Sequence, residues 1–201
     1  MTRGIAAGLS LCAISFQGAA SPEHFTIVPA HTVPSYEVSR FALPPLQGRF
    51  ERVTGSISLD SAARTGAIAI EIDATTVSIG RGWFDDILKG EDFFDVAHHP
   101  RVRFRSSRLD FEDERPVRAE GELTLRGATR PLTLELRQFA CVRPEPPAHV
   151  TCAAQIAGRI SRSAFGMTSY SGFIDDEVRL TIQVEAERQA SPANSGGERW
   201  K

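Results

Sequence analysis

Apolar and polar residues alternate with a period of two along most of this chain. In the clearest run, Val178, Leu180, Ile182, Val184 and Ala186 interleave with Glu177, Arg179, Thr181, Gln183, Glu185 and Glu187. Such a run is a strand with one dry and one wet face. Ile68, Ile70, Ile72 and Ala74 repeat the pattern, as do Leu132, Leu134 and Leu136. So do Val53, Ile57 and Leu59, and Val117, Ala119, Leu123 and Leu125. Turn residues separate the runs at Asp60-Ser61, Glu112-Asp113-Glu114, Arg126-Gly127 and the prolines between Cys141 and Cys152. The pattern predicts eight to nine strands with short connections, hence antiparallel pairing.

One segment has a different rhythm. Between Arg81 and His99 the apolar residues Trp83, Phe84, Ile87, Leu88, Phe93, Phe94 and Val96 are spaced for one or two short helices, which Pro100 ends. Two predicted strands are long, from Gln47 to Asp60 and from Asp176 to Glu187. Long strands with exposed edges invite association, and closing the sheet removes the edges. The expected fold is therefore all-β, an antiparallel barrel of eight strands with one or two short helices, wide enough for one small ligand.

The inward set is aliphatic and almost free of titratable groups, so a lumen built from it binds only by excluding water from an apolar partner. Each buried CH₂ then contributes about 0.8 kcal/mol. Periodicity leaves open whether these residues surround a space or fill it. The candidate ligand-binding residues are Leu123, Leu125, Leu134, Leu180 and Ile182 on the strands, with Phe104, Phe165 and Met167. Phe93 and Phe94 are candidates where the helical segment meets the barrel end. Arg162 is the candidate for a head group, because a guanidinium forks onto phosphate or carbonyl oxygens.

Composition narrows the classes. The 201 residues carry a formal charge of -2 without a basic tract, which argues against nucleic acid. No run approaches the ~20 apolar residues of a transmembrane helix. Arg3, the apolar run Ile5 to Phe16 and the small residues Gly18, Ala19 and Ala20 read as a signal peptide spanning residues 1–20. Leu11 before Cys12 is too large for a lipobox. An exported chain keeps Cys141 and Cys152, which usually pair in an oxidising compartment, with two buried thiols as the alternative. The domain then covers 21–188, and the polar stretch 189–201 reads as a disordered tail. The five histidines lack ligand spacing, so no metal or other cofactor is expected. An outer-membrane barrel would carry aromatic girdles, and two Trp and two Tyr do not make them. Asp85 and Asp86 are the one tempting acid pair for an enzyme, better explained as a solvated helix terminus. Monomer and homodimer are not distinguished.

Several motifs in order resemble the YceI-like, polyisoprenoid-binding family. They are Ala30-His31-Thr32 with Gly48-Arg49-Phe50, Glu91 to Val96 followed by His99-Pro100, Gly121 to Pro131, Ile160 to Met167, and the closing strand Ile174 to Ala186. The two cysteines resemble those of a proteobacterial subgroup. The resemblance implies an extended lipocalin-like barrel, a periplasmic address, an isoprenoid lipid or quinone as partner, and no catalysis. The family's usual R-D-x-H-L is here Phe84-Asp85-Asp86-Ile87-Leu88, so its Arg and His are absent, which points to a ligand with a less polar head. Ala164 likewise stands where the family usually has Asp.

Overall fold

The structure is a computed structural model that describes residues 22–143 and 150–189. The leader, the prolines between the cysteines and nearly all of the tail lie outside the described residues. The chain forms β1 (Glu23–Ile27), β2 (Val33–Arg40), β3 (Leu43–Phe50), β4 (Val53–Asp60), β5 (Thr65–Asp73) and β6 (Val77–Ser78). Then follow α1 (Gly82–Lys89), β7 (Arg101–Glu112), β8 (Arg115–Leu125), β9 (Ala128–Val142), β10 (Thr151–Ser161) and β11 (Ile174–Arg188).

Eight strand paths close into an antiparallel barrel, because three of them are broken strands. β1 and β2 follow one another along the same edge of β11, with Ile27 opposite Ala186 and Val33 opposite Gln183. β3 and β4 pair with β2 and β1 as one interrupted hairpin, Tyr36 facing Gly48 and Phe25 facing Ile57. β6 extends β5 past a break at Ala74–Thr76 and pairs with β3. The single strand expected from Gln47 to Asp60 is therefore split at Glu51-Arg52.

Threonine hydroxyls occupy the breaks. Thr76 Oγ1 accepts from the backbone N–H of both Glu51 and Arg52, at 3.1 and 3.2 Å. Thr32, buried, accepts from Glu185 N–H at 3.1 Å and donates to its carbonyl at 3.3 Å. Each supplies hydrogen bonds that the ladder omits where the strand leaves its partner, which buried backbone requires.

The β8–β9 hairpin turns on Arg126-Gly127, with φ of 50° and 72°, the geometry that two-residue hairpins favour. A Cβ at Gly127 would also lie 3.0 Å from the His99 ring, so two constraints keep that position glycine. A register shift between Asp110 and Phe111 turns Pro116 inward, and Val117, expected to face in, is only half-buried.

The helical segment forms one helix, α1, followed by turns that hold Phe93 and Phe94. α1, the β2–β3 and β8–β9 hairpins and the β10–β11 loop share one end, the helix end. The β4–β5 and β7–β8 turns share the other with Cys141 and Cys152, which face each other in register and are disulfide-bonded. The closing strand β1 is pinned at this disulfide end by Glu23. Its carboxylate takes both Arg143 Nη atoms, at 3.0 and 2.8 Å, and Arg188 Nη1 at 2.9 Å.

The Arg143 hydrogen bonds, with those of Arg188, lower the Glu23 pKa from 4.5 to about 2 against the opposing effect of burial. A depressed carboxyl stabilises the fold fully above its unfolded value and loses that contribution as pH falls from 4.5 through about 2. Wild type should thus lose about 1–2 kcal/mol more than Glu23→Gln across that interval, once solvent screening is allowed for. Denaturant melts at stepped pH measure it; parallel curves for the two proteins would refute the assignment.

Candidate functional site

The inward faces do not meet. They enclose a cavity whose volume open to the centre of a water molecule is about 210 Å³, where ~10–15 Å³ holds one water. Lining positions on β11 run from Ile174 to Ala186, about 40 Å of strand and about 30 Å of barrel axis after tilt. Spread over that length, the volume corresponds to a passage ~6 Å across, the width of one hydrocarbon chain. Leu136, Ile156 and Ile182 lie side by side on β9, β10 and β11, line the cavity, and are only half-buried. Their exposure is to the lumen, since their strand neighbours Arg137, Gln155 and Gln183 belong to the opposite face.

Phe93, Phe94, Phe104, Leu123, Leu125, Leu134, Arg162, Met167, Leu180 and Ile182 all line this cavity. Phe165 does not; it is buried in the short helical turn Ser163–Phe165 behind the wall. The first strands contribute Phe25, Tyr36, Phe50 and Ile57, and α1 contributes Phe84 and Leu88, none of which the strand pattern singles out as a ligand contact. The alternation Pro34, Tyr36, Val38 is a readable signal for β2.

Arg162, 5% exposed, is committed to the main chain. Nε donates to Asp175 O at 3.0 Å, Nη1 to Met167 O and Ser169 O at 2.7 and 2.8 Å, and Nη2 to Ile174 O at 3.1 Å. Four of its five N–H groups thereby shape the β10–β11 loop, so it is first a strut of the wall. Arg126 ties the same end together by donating to Gly166 O and Glu91 O, each at 2.8 Å.

Where the family's usual Arg and His are missing, Phe84 faces the lumen and Ile87 is exposed on α1. The retained Asp85 accepts from Ile79 N–H at 2.7 Å and Ser78 Oγ at 2.8 Å, which anchors α1 to β6. These bonds, the Ile79 N–H foremost, hold its carboxyl below the usual range. Asp86 is exposed, and neither aspartate lines the cavity, so they do not form a lumenal acid pair. His31 bonds Glu185 at 2.8 Å, which raises its pKa. His98 and His99 sit in a turn and both approach Asp95, at 2.8 and 3.9 Å, rather than diverging as an extended backbone would require.

The outer face is charged. Glu71 receives Arg101 and Arg103, Asp110 receives Arg108 and Arg118, and Arg179 reaches Glu37. Such a surface facing lipid would cost about 2–4 kcal/mol for each Arg near the bilayer midplane. The apolar faces line the lumen and the charged faces turn outward, the reverse of an outer-membrane barrel. Among the described residues no helix is long and apolar enough to cross a membrane.

The profile of the YceI-like domain matches residues 25–186. The chain belongs to the YceI-like family. Among its YceI-like relatives, a protein named UPF0312 protein from Azotobacter vinelandii is 27% identical over 161 residues, 79% of this chain and 83% of that one. Protein YceI of Salmonella newport is 26% identical with the same coverage. BcnA of Burkholderia cenocepacia shares the fold at a TM-score of 0.64 and 21% identity, covering 79% of this chain and 98% of that chain. A domain from Saccharophagus degradans described as polyisoprenoid binding does so at 0.60 and 12%, covering 82% and 98%.

Proposed function

We propose that this YceI-like protein is a non-catalytic periplasmic carrier that holds a long isoprenoid lipid, a polyprenyl chain or isoprenoid quinone, inside its barrel. The observation that carries this reading is the apolar lumen itself, whose lining follows β11 from Ile174 to Ala186, about 30 Å along the axis, at a mean width of about one hydrocarbon chain. A prenyl chain suits it because every buried CH₂ contributes about 0.8 kcal/mol while the wall asks for almost no polar partner. The polyisoprenoid-binding description of the Saccharophagus degradans domain supports the same class of cargo. The signal-peptide reading of residues 1–20, family membership and the Cys141–Cys152 bond support an oxidising, extracytoplasmic address.

Protein released by osmotic shock and purified without detergent should carry an adduct in native mass spectrometry. Organic extraction should identify that adduct as a prenyl lipid. Protein that is always empty, and that fails to take up prenyl lipids from vesicles, would remove the proposal.

A further inference from the structure

Tyr36 presents a polar group to a predominantly apolar lumen. It occupies an inward position of β2, is 8% exposed, and lines the cavity. Its hydroxyl is buried and has no hydrogen-bond partner among the described residues. The ring is held firmly: its centroid lies 5.9 Å from those of Phe50 and Phe94, which are 5.4 Å apart and edge-on to each other. It also lies across its cross-strand neighbour Gly48, where a Cβ would fall 2.3 Å from both Tyr36 Cζ and the hydroxyl.

Buried tyrosine hydroxyls usually find a partner, and an unpaired one costs about 1–3 kcal/mol. Phenylalanine would pack the same ring without that cost, so the hydroxyl is an unmet hydrogen bond among the described residues. Burial, followed by the nearby Asp85 charge, pushes the phenol's pKa far up, so the group stays a neutral O–H donor.

Besides Tyr36 and its strand neighbour Ser35, the polar residues that line the lumen are already engaged. Thr32 bonds Glu185 backbone, Arg40 donates to Pro44 O at 2.7 Å, and Arg162 is committed to its loop. A phosphate here would be desolvated while the two lining guanidiniums, Arg40 and Arg162, are held by main-chain carbonyls, at a cost of several kcal/mol. An uncharged oxygen needs one donor only.

Resting on the carrier reading above, we propose that Tyr36 is a head-group subsite, donating a hydrogen bond to an uncharged oxygen of the cargo. This places the head beneath α1 and runs the tail toward Cys152 and the disulfide end.

The test uses the full mature protein and its Tyr36→Phe variant with three probes: a hexaprenyl naphthoquinone, a hydrocarbon of the same six isoprene units (squalene), and a hexaprenyl phosphate. Wild type should prefer the quinone to the hydrocarbon and bind the phosphate worst. Tyr36→Phe should lose roughly tenfold affinity for the quinone, leave squalene unchanged, and melt at a higher temperature when empty. The quinone carbonyl stretch should sit at lower frequency in wild type than in the variant. Unchanged quinone affinity, equal losses for quinone and squalene, or tightest binding of the phosphate would overturn the Tyr36 assignment while leaving the carrier standing. Failure of wild type to bind any of the three would instead defeat the carrier reading, and this inference with it.

Discussion

Ile156→Trp should abolish prenyl-lipid uptake while the barrel stays folded. Ile156 stands in register between Leu136 and Ile182, where all three side chains are half-buried because they border the lumen. An indole there enters existing space rather than displacing a neighbour, so the usual overpacking cost of about 1–3 kcal/mol should largely be avoided. It blocks a passage only ~6 Å across. Cargo excluded from the far half loses at least four or five buried CH₂ groups, about 3–4 kcal/mol, hence roughly 10²–10³-fold in affinity. Vesicle-to-protein transfer of a fluorescent prenyl lipid, read beside a thermal melt, separates blocking from unfolding. Undiminished transfer by a folded variant would mean that the cargo does not use the lumen.

Arg162→Met should produce the largest loss of stability of any single substitution in the site, about 3–5 kcal/mol. Four main-chain carbonyls, of Met167, Ser169, Ile174 and Asp175, would lose their donor at once. Arg162→Lys should recover less than half, because one ammonium cannot reach carbonyls that a planar fork spans. Denaturant melts give the total. Hydrogen exchange should show loss of protection concentrated between Met167 and Ile174, whose Met167 and Ile174 side chains form part of the lumen wall. A cost below 1 kcal/mol, or exchange raised uniformly over the barrel, would contradict the strut assignment.

The strands were legible because burial on one face writes itself into a two-residue period, as Val178 to Ala186 shows on β11. The breaks were not legible. Glu51-Arg52 lies inside an unremarkable alternating run, and it becomes a break only because Thr76, 24 residues on, supplies the hydroxyl that makes leaving the ladder tolerable. The inward turn of Pro116 has the same character, since a register shift depends on the partner strand. Of the candidate lining residues, those on regular strands reached the cavity. Phe165 did not, because a short helical turn follows no two-residue rule. Arg162 shows the reverse problem: residue type announces a potential anion or carbonyl contact but not which carbonyls arrive first. The isolated hydroxyl of Tyr36 could not be read from sequence at all, since what leaves it unpaired is an aromatic cluster and a bare Gly48 gathered from three separate segments.

By itself the sequence determined that this chain is an antiparallel all-β protein with one short helical segment and an aliphatic face on nearly every strand. Those are local consequences of side-chain alternation and turn chemistry, read over a few residues at a time. Only the tertiary structure decided that the aliphatic faces stand apart around a narrow passage, that the charged faces turn outward, and that one phenol is left without a partner inside. Each of these depends on strand number, register and closure, which are relations between distant segments, and a period of two carries no record of the distance across a barrel.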